Sequence, residues 1–83
     1  MIKSILLTNN IVLISKIEEV VSELGEPDCK LIKPYVLNQS SLSMEPWLLN
    51  ITTQNEFMIS SDKILTISDP TEEIKEKYNS LIK

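Results

Sequence analysis

A run of four polar residues interrupts the apolar segment at residues 57–67 of the 83-residue chain, and its members are Ser60, Ser61, Asp62 and Lys63. Hydroxyl, carboxylate and ammonium groups together can donate and accept hydrogen bonds, and the ammonium group can contact a phosphate. The same residue types are also typical of a polar turn between two strands. The run therefore predicts either a hairpin turn or a small binding site.

No other group of side chains in the sequence predicts catalysis. The chain contains no histidine, which is the usual general base at neutral pH and the commonest metal ligand. Cys29 is the only cysteine, and a single glycine excludes a glycine-rich phosphate loop. The adjacent Glu18 and Glu19 would face opposite sides of a strand. We therefore expect a protein without enzymatic activity and without a bound cofactor or metal.

The composition is that of one small globular domain over residues 1–83. Hydrophobic residues make up 42% of the chain and charged residues 24%, and the net charge is −4. A chain of this length buries only about 60% of its unfolded surface, which favours association with further copies. Polar residues 8–10 interrupt the apolar N-terminal segment, so it is too short to span a membrane and has no cleavage site. We expect a cytoplasmic protein that does not associate with membranes.

Apolar and β-branched residues recur in five segments that predict strands, all within residues 2–68. These segments are residues 2–7, 11–21, 29–37, 57–59 and 64–67. The second segment also contains apolar residues at helical spacing, which leaves a helix as the alternative there. Pro34 predicts an edge position or a bulge in the third strand. The polar connection 38–54 contains Trp47, which we expect either to cover the core or to anchor an interface.

The end of the chain predicts one helix over about residues 70–82. Asp69 is the expected N-cap, followed by a proline at the first helical position. Ile74, Tyr78 and Leu81 recur at spacings of four and three, which gives one apolar stripe. We expect Tyr78, together with Phe57, to lie in the core. Short strands followed by a single helix indicate a mainly β domain, either a bent antiparallel sheet or a partly open barrel.

Residues 59–67, with the sequence ISSDKILTI, resemble the second signature of Sm-like (LSm) proteins, in which a basic residue and a glycine precede an alternating apolar strand. Residues 13–20, LISKIEEV, resemble the first signature, with Ser15 where the family bends its second strand. Asp28 precedes the third strand, where the family has asparagine. The resemblance covers residues 2–68, and the chain as a whole resembles small Sm-like proteins of marine phage origin. It implies a small, strongly bent, five-stranded antiparallel barrel, here with a C-terminal helix.

The resemblance also implies a function and a site. Sm-like proteins form homo-oligomeric rings, here of about five to seven subunits, in which the fourth strand of one subunit pairs with the fifth of the next. The expected activity is binding of single-stranded nucleic acid, RNA more than DNA, in RNA or DNA processing or regulation. The expected site comprises Asp28, Lys30, Ser60, Ser61, Asp62 and Lys63.

The sequence departs from the family at this site. Ser60 replaces the arginine that stacks on a base, Ser61 replaces the glycine, and Asp28 replaces the asparagine that reads a uracil edge. An ionised carboxylate only accepts hydrogen bonds and repels phosphates. The alternative is therefore a ring that acts only as a scaffold, such as a phage accessory component in the host cytoplasm, with Trp47 and residues 38–54 as its protein interface.

Overall fold

The computed structural model describes residues 2–21 and 23–82, which form an antiparallel β-sheet and one C-terminal helix. The strands are β1 (Ile2–Leu7), β2 (Val12–Glu19), β3 (Cys29–Leu37), β4 (Met44–Pro46), β5 (Glu56–Ile59) and β6 (Ile64–Ser68), and the helix is α1 (Glu72–Leu81). The predicted fold class, mainly β with a C-terminal helix, is confirmed. The three-residue strand β4 lies within the predicted connection 38–54 and adds a sixth strand to the expected five.

The sheet has the strand order β4-β3-β2-β1-β6, and β5 also pairs with β3. The first half of β3, residues 29–32, pairs with β5, and residues 35–37 pair with β4. β3 therefore has β2 on one side and two different strands on the other. The outer side of β3 is thus shared by two strands that pair with different halves of it.

A tight turn at Asn9 and Asn10 joins β1 to β2, as the two asparagines predict. Asn10 has a φ of 67°, a left-handed conformation that asparagine tolerates better than most residues. The Leu7 N–H donates to the Ile11 carbonyl at 2.9 Å, and the Asn10 N–H donates to the Leu7 carbonyl at 3.0 Å. Residues 12–19 are a strand, so the helical alternative for this segment is wrong. The antiparallel pairing with β1 outweighs the helical spacing of its apolar residues.

A bulge interrupts β3 at Lys33 and Pro34, which together lie opposite the single residue Ser15 of β2. Lys33 has a φ of 53°, the left-handed conformation found at the first position of many bulges. Pro34 has no N–H to offer a neighbouring strand, and a bulge is one of the few places in a sheet where this is tolerated. The predicted roles of Pro34, as a bulge residue, and of Ser15, at the bend of β2, both match this irregularity.

The core consists of two clusters of buried side chains. One comprises Ile5, Leu7, Leu13 and Leu31, with Trp47 packed against it. The other joins Ile14 of β2 to Ile74 and Tyr78 of α1. Burying these apolar side chains is the main favourable contribution to folding. The helix therefore packs on the sheet through its own small cluster.

Three details of the helix and core differ from the predictions. The N-cap is Thr71, whose Oγ1 accepts the Ile74 N–H at 3.3 Å, so α1 begins at residue 72 rather than 70. Asp69 instead pairs with Lys3 of β1. Leu81 is exposed, and Phe57 is only half-buried, whereas Tyr78 is fully buried as predicted. Among the described residues, no helix is both long and apolar enough to cross a lipid bilayer.

Tyr78 is the side chain that ties the helix to the bulge. Its hydroxyl shares its proton between the carbonyls of Lys33, at 2.8 Å, and Ile32, at 3.2 Å. Burial raises the pKa of Tyr78, so the hydroxyl stays protonated and remains a donor.

We expect Tyr78→Phe to lower the free energy of unfolding by about 1–2 kcal/mol, because it leaves a partly buried carbonyl with one donor fewer. Denaturant unfolding followed by circular dichroism measures the change. Ser80→Ala, which removes a hydroxyl from the exposed face of the same helix, is the control and should change the free energy by less than about 0.5 kcal/mol. Equal stabilities for Tyr78→Phe and the wild type would contradict an anchoring role.

Candidate functional site

Two loops meet at one end of the sheet, and we call them the loop pair. The first connects β2 to β3, with residues 20–21 and 23–28 described, and the second connects β5 to β6 through residues 60–63. Asp28 joins them. Its Oδ1 accepts the Ser61 backbone N–H at 2.7 Å, and its Oδ2 accepts the Ser61 hydroxyl at 2.8 Å. The sequence-predicted residues Asp28 and Ser61, 33 positions apart, are therefore in direct contact.

The second loop has its own local structure. Residues Ser61–Lys63 form a single turn of 3₁₀-helix, in which the Lys63 N–H donates to the Ser60 carbonyl at 3.0 Å. The Lys63 carbonyl accepts the Thr8 N–H at 3.0 Å, which ties this turn to the β1–β2 turn. The Ser61 N–H lies in the first turn of this helix, where the helix itself provides no acceptor. The Asp28 carboxylate accepts this N–H instead. Residues 60–63 therefore form a turn as predicted, but the hairpin is wrong, because β5 pairs with β3 and β6 pairs with β1 rather than with each other.

The loop pair borders an open, acidic cleft of about 560 Å³. Four of the residues that line it carry carboxylates: Glu23, Glu26, Asp28 and Asp62. Hydrogen bonds from the Ser61 hydroxyl and backbone N–H hold the pKa of Asp28 below its ordinary value of 3.8, so this side chain is charged at neutral pH. Within the described residues, no three acidic or cysteine side chains come together in a group suited to a metal ion.

The structure divides the six predicted site residues into two groups. Asp28, Ser60, Ser61 and Asp62 line the acidic cleft. Lys30 does not: its ammonium group lies 3.1 Å from Glu56 of β5, and this pairing raises the pKa of Lys30. Lys63 belongs to the turn but not to the lining of the cleft. In the single subunit the structure therefore brings Asp28, Ser60, Ser61 and Asp62 together at the cleft, whereas Lys30 pairs with Glu56 along the β3–β5 ladder and Lys63 lies outside the cleft lining.

A second concave site was not predicted from the sequence. It is a cavity of about 420 Å³ beside the β3 bulge, between residues 46–55 and the end of α1. Three of the chain's four aromatic residues line it: Tyr35, Trp47 and Phe57. Trp47 was expected to cover the core or to anchor an interface, and Phe57 to lie in the core, so neither was assigned to a cavity. The proline at position 34 was a signal for this site, since a bulge can leave space between strands.

β5 and β6 each have one edge without a partner strand, and each exposes apolar side chains. β6 pairs with β1 and β5 pairs with β3, and the described strands include no ladder between β5 and β6. Met58 of β5 and Leu65 and Ile67 of β6 are about half exposed, at 50%, 59% and 45% respectively. Unpaired edges with apolar side chains are prone to pair with another chain.

Comparison with known proteins provides a family but no activity. All of the chain, residues 1–83, matches the model of a family of unknown function, DUF6561. Comparison with curated proteins finds no match. The role of the loop pair must therefore be inferred from its own chemistry.

We expect an NMR titration of the Asp28 carboxyl carbon to give a midpoint below 3.8 in the wild type. Ser61→Ala removes the largest cause of the lowered pKa and should move the midpoint upward, while the backbone hydrogen bond keeps part of the effect. Because the pKa is lower in the folded state, the contact contributes its full stability above the unfolded-state pKa. That stability is lost as the pH falls through the folded-state pKa. Identical midpoints in the two proteins would contradict the hydroxyl contact.

Proposed function

The chain belongs to the DUF6561 family of unknown function, and we propose that it is an Sm-like protein that forms a homo-oligomeric ring and binds single-stranded nucleic acid, RNA more than DNA. The observation that carries the proposal is the contact between Asp28 and Ser61. In Sm-like proteins the corresponding two loops form the nucleotide site. Asp28 stands where that family has asparagine, and Ser61 lies in the segment that resembles the second signature.

The topology supports the Sm-like assignment. The strand order places β5 and β6 at opposite edges of the sheet, although only the turn Ser61–Lys63 separates them along the chain. In Sm-like rings, the corresponding fourth and fifth strands pair between neighbouring subunits. Closing a ring in this way would satisfy both open edges at once and cover their exposed apolar side chains.

In a ring, every subunit would offer the same contacts to the ligand, repeated around the symmetry axis. The Ser60 and Ser61 positions offer hydroxyl and backbone groups for hydrogen bonds to bases and sugars. The four carboxylates of the cleft oppose phosphate binding in every subunit. We therefore propose modest affinity, with base and sugar contacts more important than phosphate contacts at this site.

We expect Ile67→Lys and Met58→Lys to reduce the mass of the particle in solution, because each places an ammonium group in the proposed contact between β5 and β6. Light scattering coupled to size-exclusion chromatography measures the mass. The matched control is Ile51→Lys, which makes the same change at a residue that is 79% exposed and lies away from both edges. A wild-type protein that elutes as a monomer would contradict the ring.

We expect Asp28→Asn to bind fluorescent oligo-U about five- to tenfold more tightly than the wild type, because it removes one negative charge from each site. Asparagine can still accept the Ser61 N–H, and its amide can donate to the Ser61 hydroxyl, so the loop pair should stay closed. Fluorescence anisotropy at several salt concentrations measures the affinity.

Glu76→Gln is the matched control for this substitution, since it makes the same charge change on the exposed face of α1. An equal gain from Glu76→Gln would indicate an effect of net charge alone. The absence of binding to oligo-U and oligo-A by nucleic-acid-free protein, even at low salt, would refute the activity and leave the ring untested by this experiment.

A second candidate function, a ring that acts only as a protein scaffold, is favoured by the surface of the connection 47–55. Leu49 and Ile51 are 54% and 79% exposed there, beside the acidic Glu45. Exposed apolar residues rimmed by polar ones are typical of protein interfaces. The scaffold predicts an assembled ring for which neither Asp28→Asn nor low salt produces oligonucleotide binding.

A further inference from the structure

The pairing of the strands produces the cavity beside the β3 bulge. Its aromatic lining consists of Tyr35, Trp47 and Phe57. It lies where the ladder on the outer side of β3 is interrupted, because β5 pairs with residues 29–32 and β4 with residues 35–37. The Lys33 N–H donates to the Asn55 carbonyl at 2.6 Å, and the Pro34 carbonyl accepts the Trp47 N–H at 3.0 Å. The connection 47–55 therefore completes the backbone hydrogen bonds of the gap and also forms a wall of the cavity.

The aromatic side chains of the cavity are held in fixed orientations. The Trp47 and Phe57 rings meet edge to face, with centroids 5.4 Å apart and an interplanar angle of 65°. Tyr35 meets the buried Tyr78 at 5.8 Å and 89°. Trp47 packs against the first core cluster and Tyr35 against the second. Such pre-oriented rings offer a flat ligand a stacking surface with little loss of side-chain entropy.

Polar groups surround these rings. Lys33 lines the cavity, and its ammonium group lies 3.5 Å from the Ile82 carbonyl, a weak contact that a phosphate can displace. Thr53 and Asn55 also line it, and within residues 2–21 and 23–82 their side chains form no hydrogen bonds. None of the lining residues is acidic. This cavity therefore combines aromatic, cationic and carboxamide groups, which the acidic cleft at the loop pair does not.

We propose that this cavity binds one nucleotide of a single-stranded nucleic acid, with the base against the aromatic rings, its edge facing Asn55 and its phosphate near Lys33. Aromatic rings accept any base by stacking, whereas a carboxamide can hydrogen-bond a base edge. The volume of about 420 Å³ lies within the range of small-ligand sites.

The inference rests on the proposed function, because it adds a second contact for the same ligand. Phe57 of the cavity and Ser61 of the loop pair are four residues apart along an extended segment, which corresponds to about 13 Å. A short single strand can cover both sites.

The chain's only tryptophan reports directly on this cavity. With the wild-type protein, we expect uridine and adenosine monophosphates to quench Trp47 fluorescence saturably, whereas ribose 5-phosphate, which lacks a base, does not.

Lys33→Asn removes the charge with a residue that tolerates the left-handed backbone, and it should weaken nucleotide binding about fivefold. Trp47→Leu, measured by anisotropy of labelled oligo-U, should weaken binding about tenfold. Ile51→Ala, on the same connection but outside the cavity, is the control and should bind like the wild type.

The outcomes separate this inference from the proposed function. Oligo-U binding that responds to Asp28→Asn but leaves Trp47 fluorescence unchanged would overturn the cavity site and support the loop pair. Saturable quenching by nucleotides that is unaffected by Asp28→Asn supports the cavity site alone. Absence of quenching of Trp47 fluorescence by every nucleotide and oligonucleotide would overturn the inference.

Discussion

The hydrogen bonds around the bulge at Lys33 and Pro34 are the constraint on which the rest of the structure depends. Ser15, fully buried, donates its hydroxyl to the carbonyls of Lys16, at 2.7 Å, and Ile32, at 3.1 Å. The Tyr78 hydroxyl donates to the Lys33 carbonyl, and the Asn55 carbonyl accepts the Lys33 N–H. Buried backbone groups are costly to leave unpaired, so a bulge in the middle of the sheet requires all of these partners. Strand β2, the connection before β5 and the helix are thereby joined at one point.

The bulge divides β3 into two halves, which pair with β5 and β4 respectively, and both candidate sites follow from this division. Pairing of β5 with the first half of the strand aligns Ile59 with Cys29, which brings the following turn beside Asp28. Pairing of β4 with the second half leaves a gap, and the gap becomes the aromatic cavity. The two sites thus lie near opposite ends of β5, with the cavity near its start and the loop pair at its end.

The proposed binding of nucleic acid has to operate in a chain whose net charge is −4, and the two candidate sites differ in their charges. Asp28 stabilises the contact between the loops through its carboxylate, and the same charge repels phosphates. A structural requirement and a ligand requirement therefore oppose each other at one residue. In the proposed arrangement, Lys33 offers a cationic contact at the cavity, where no carboxylate lies among the lining residues.

The sequence by itself determined most of the elements, and the tertiary structure decided what they bring together. Alternating β-branched residues predicted the main strands, Asn9 and Asn10 their first turn, and Pro34 the bulge, because these are local preferences of the backbone. The helix was predicted, but its cap was placed at Asp69, since only packing shows that Lys3 of β1 engages that carboxylate. The pairing of Lys30 with Glu56 and the aromatic cavity depend on contacts between residues far apart in sequence. Local propensity carries no information about such contacts, so only the folded sheet could reveal them.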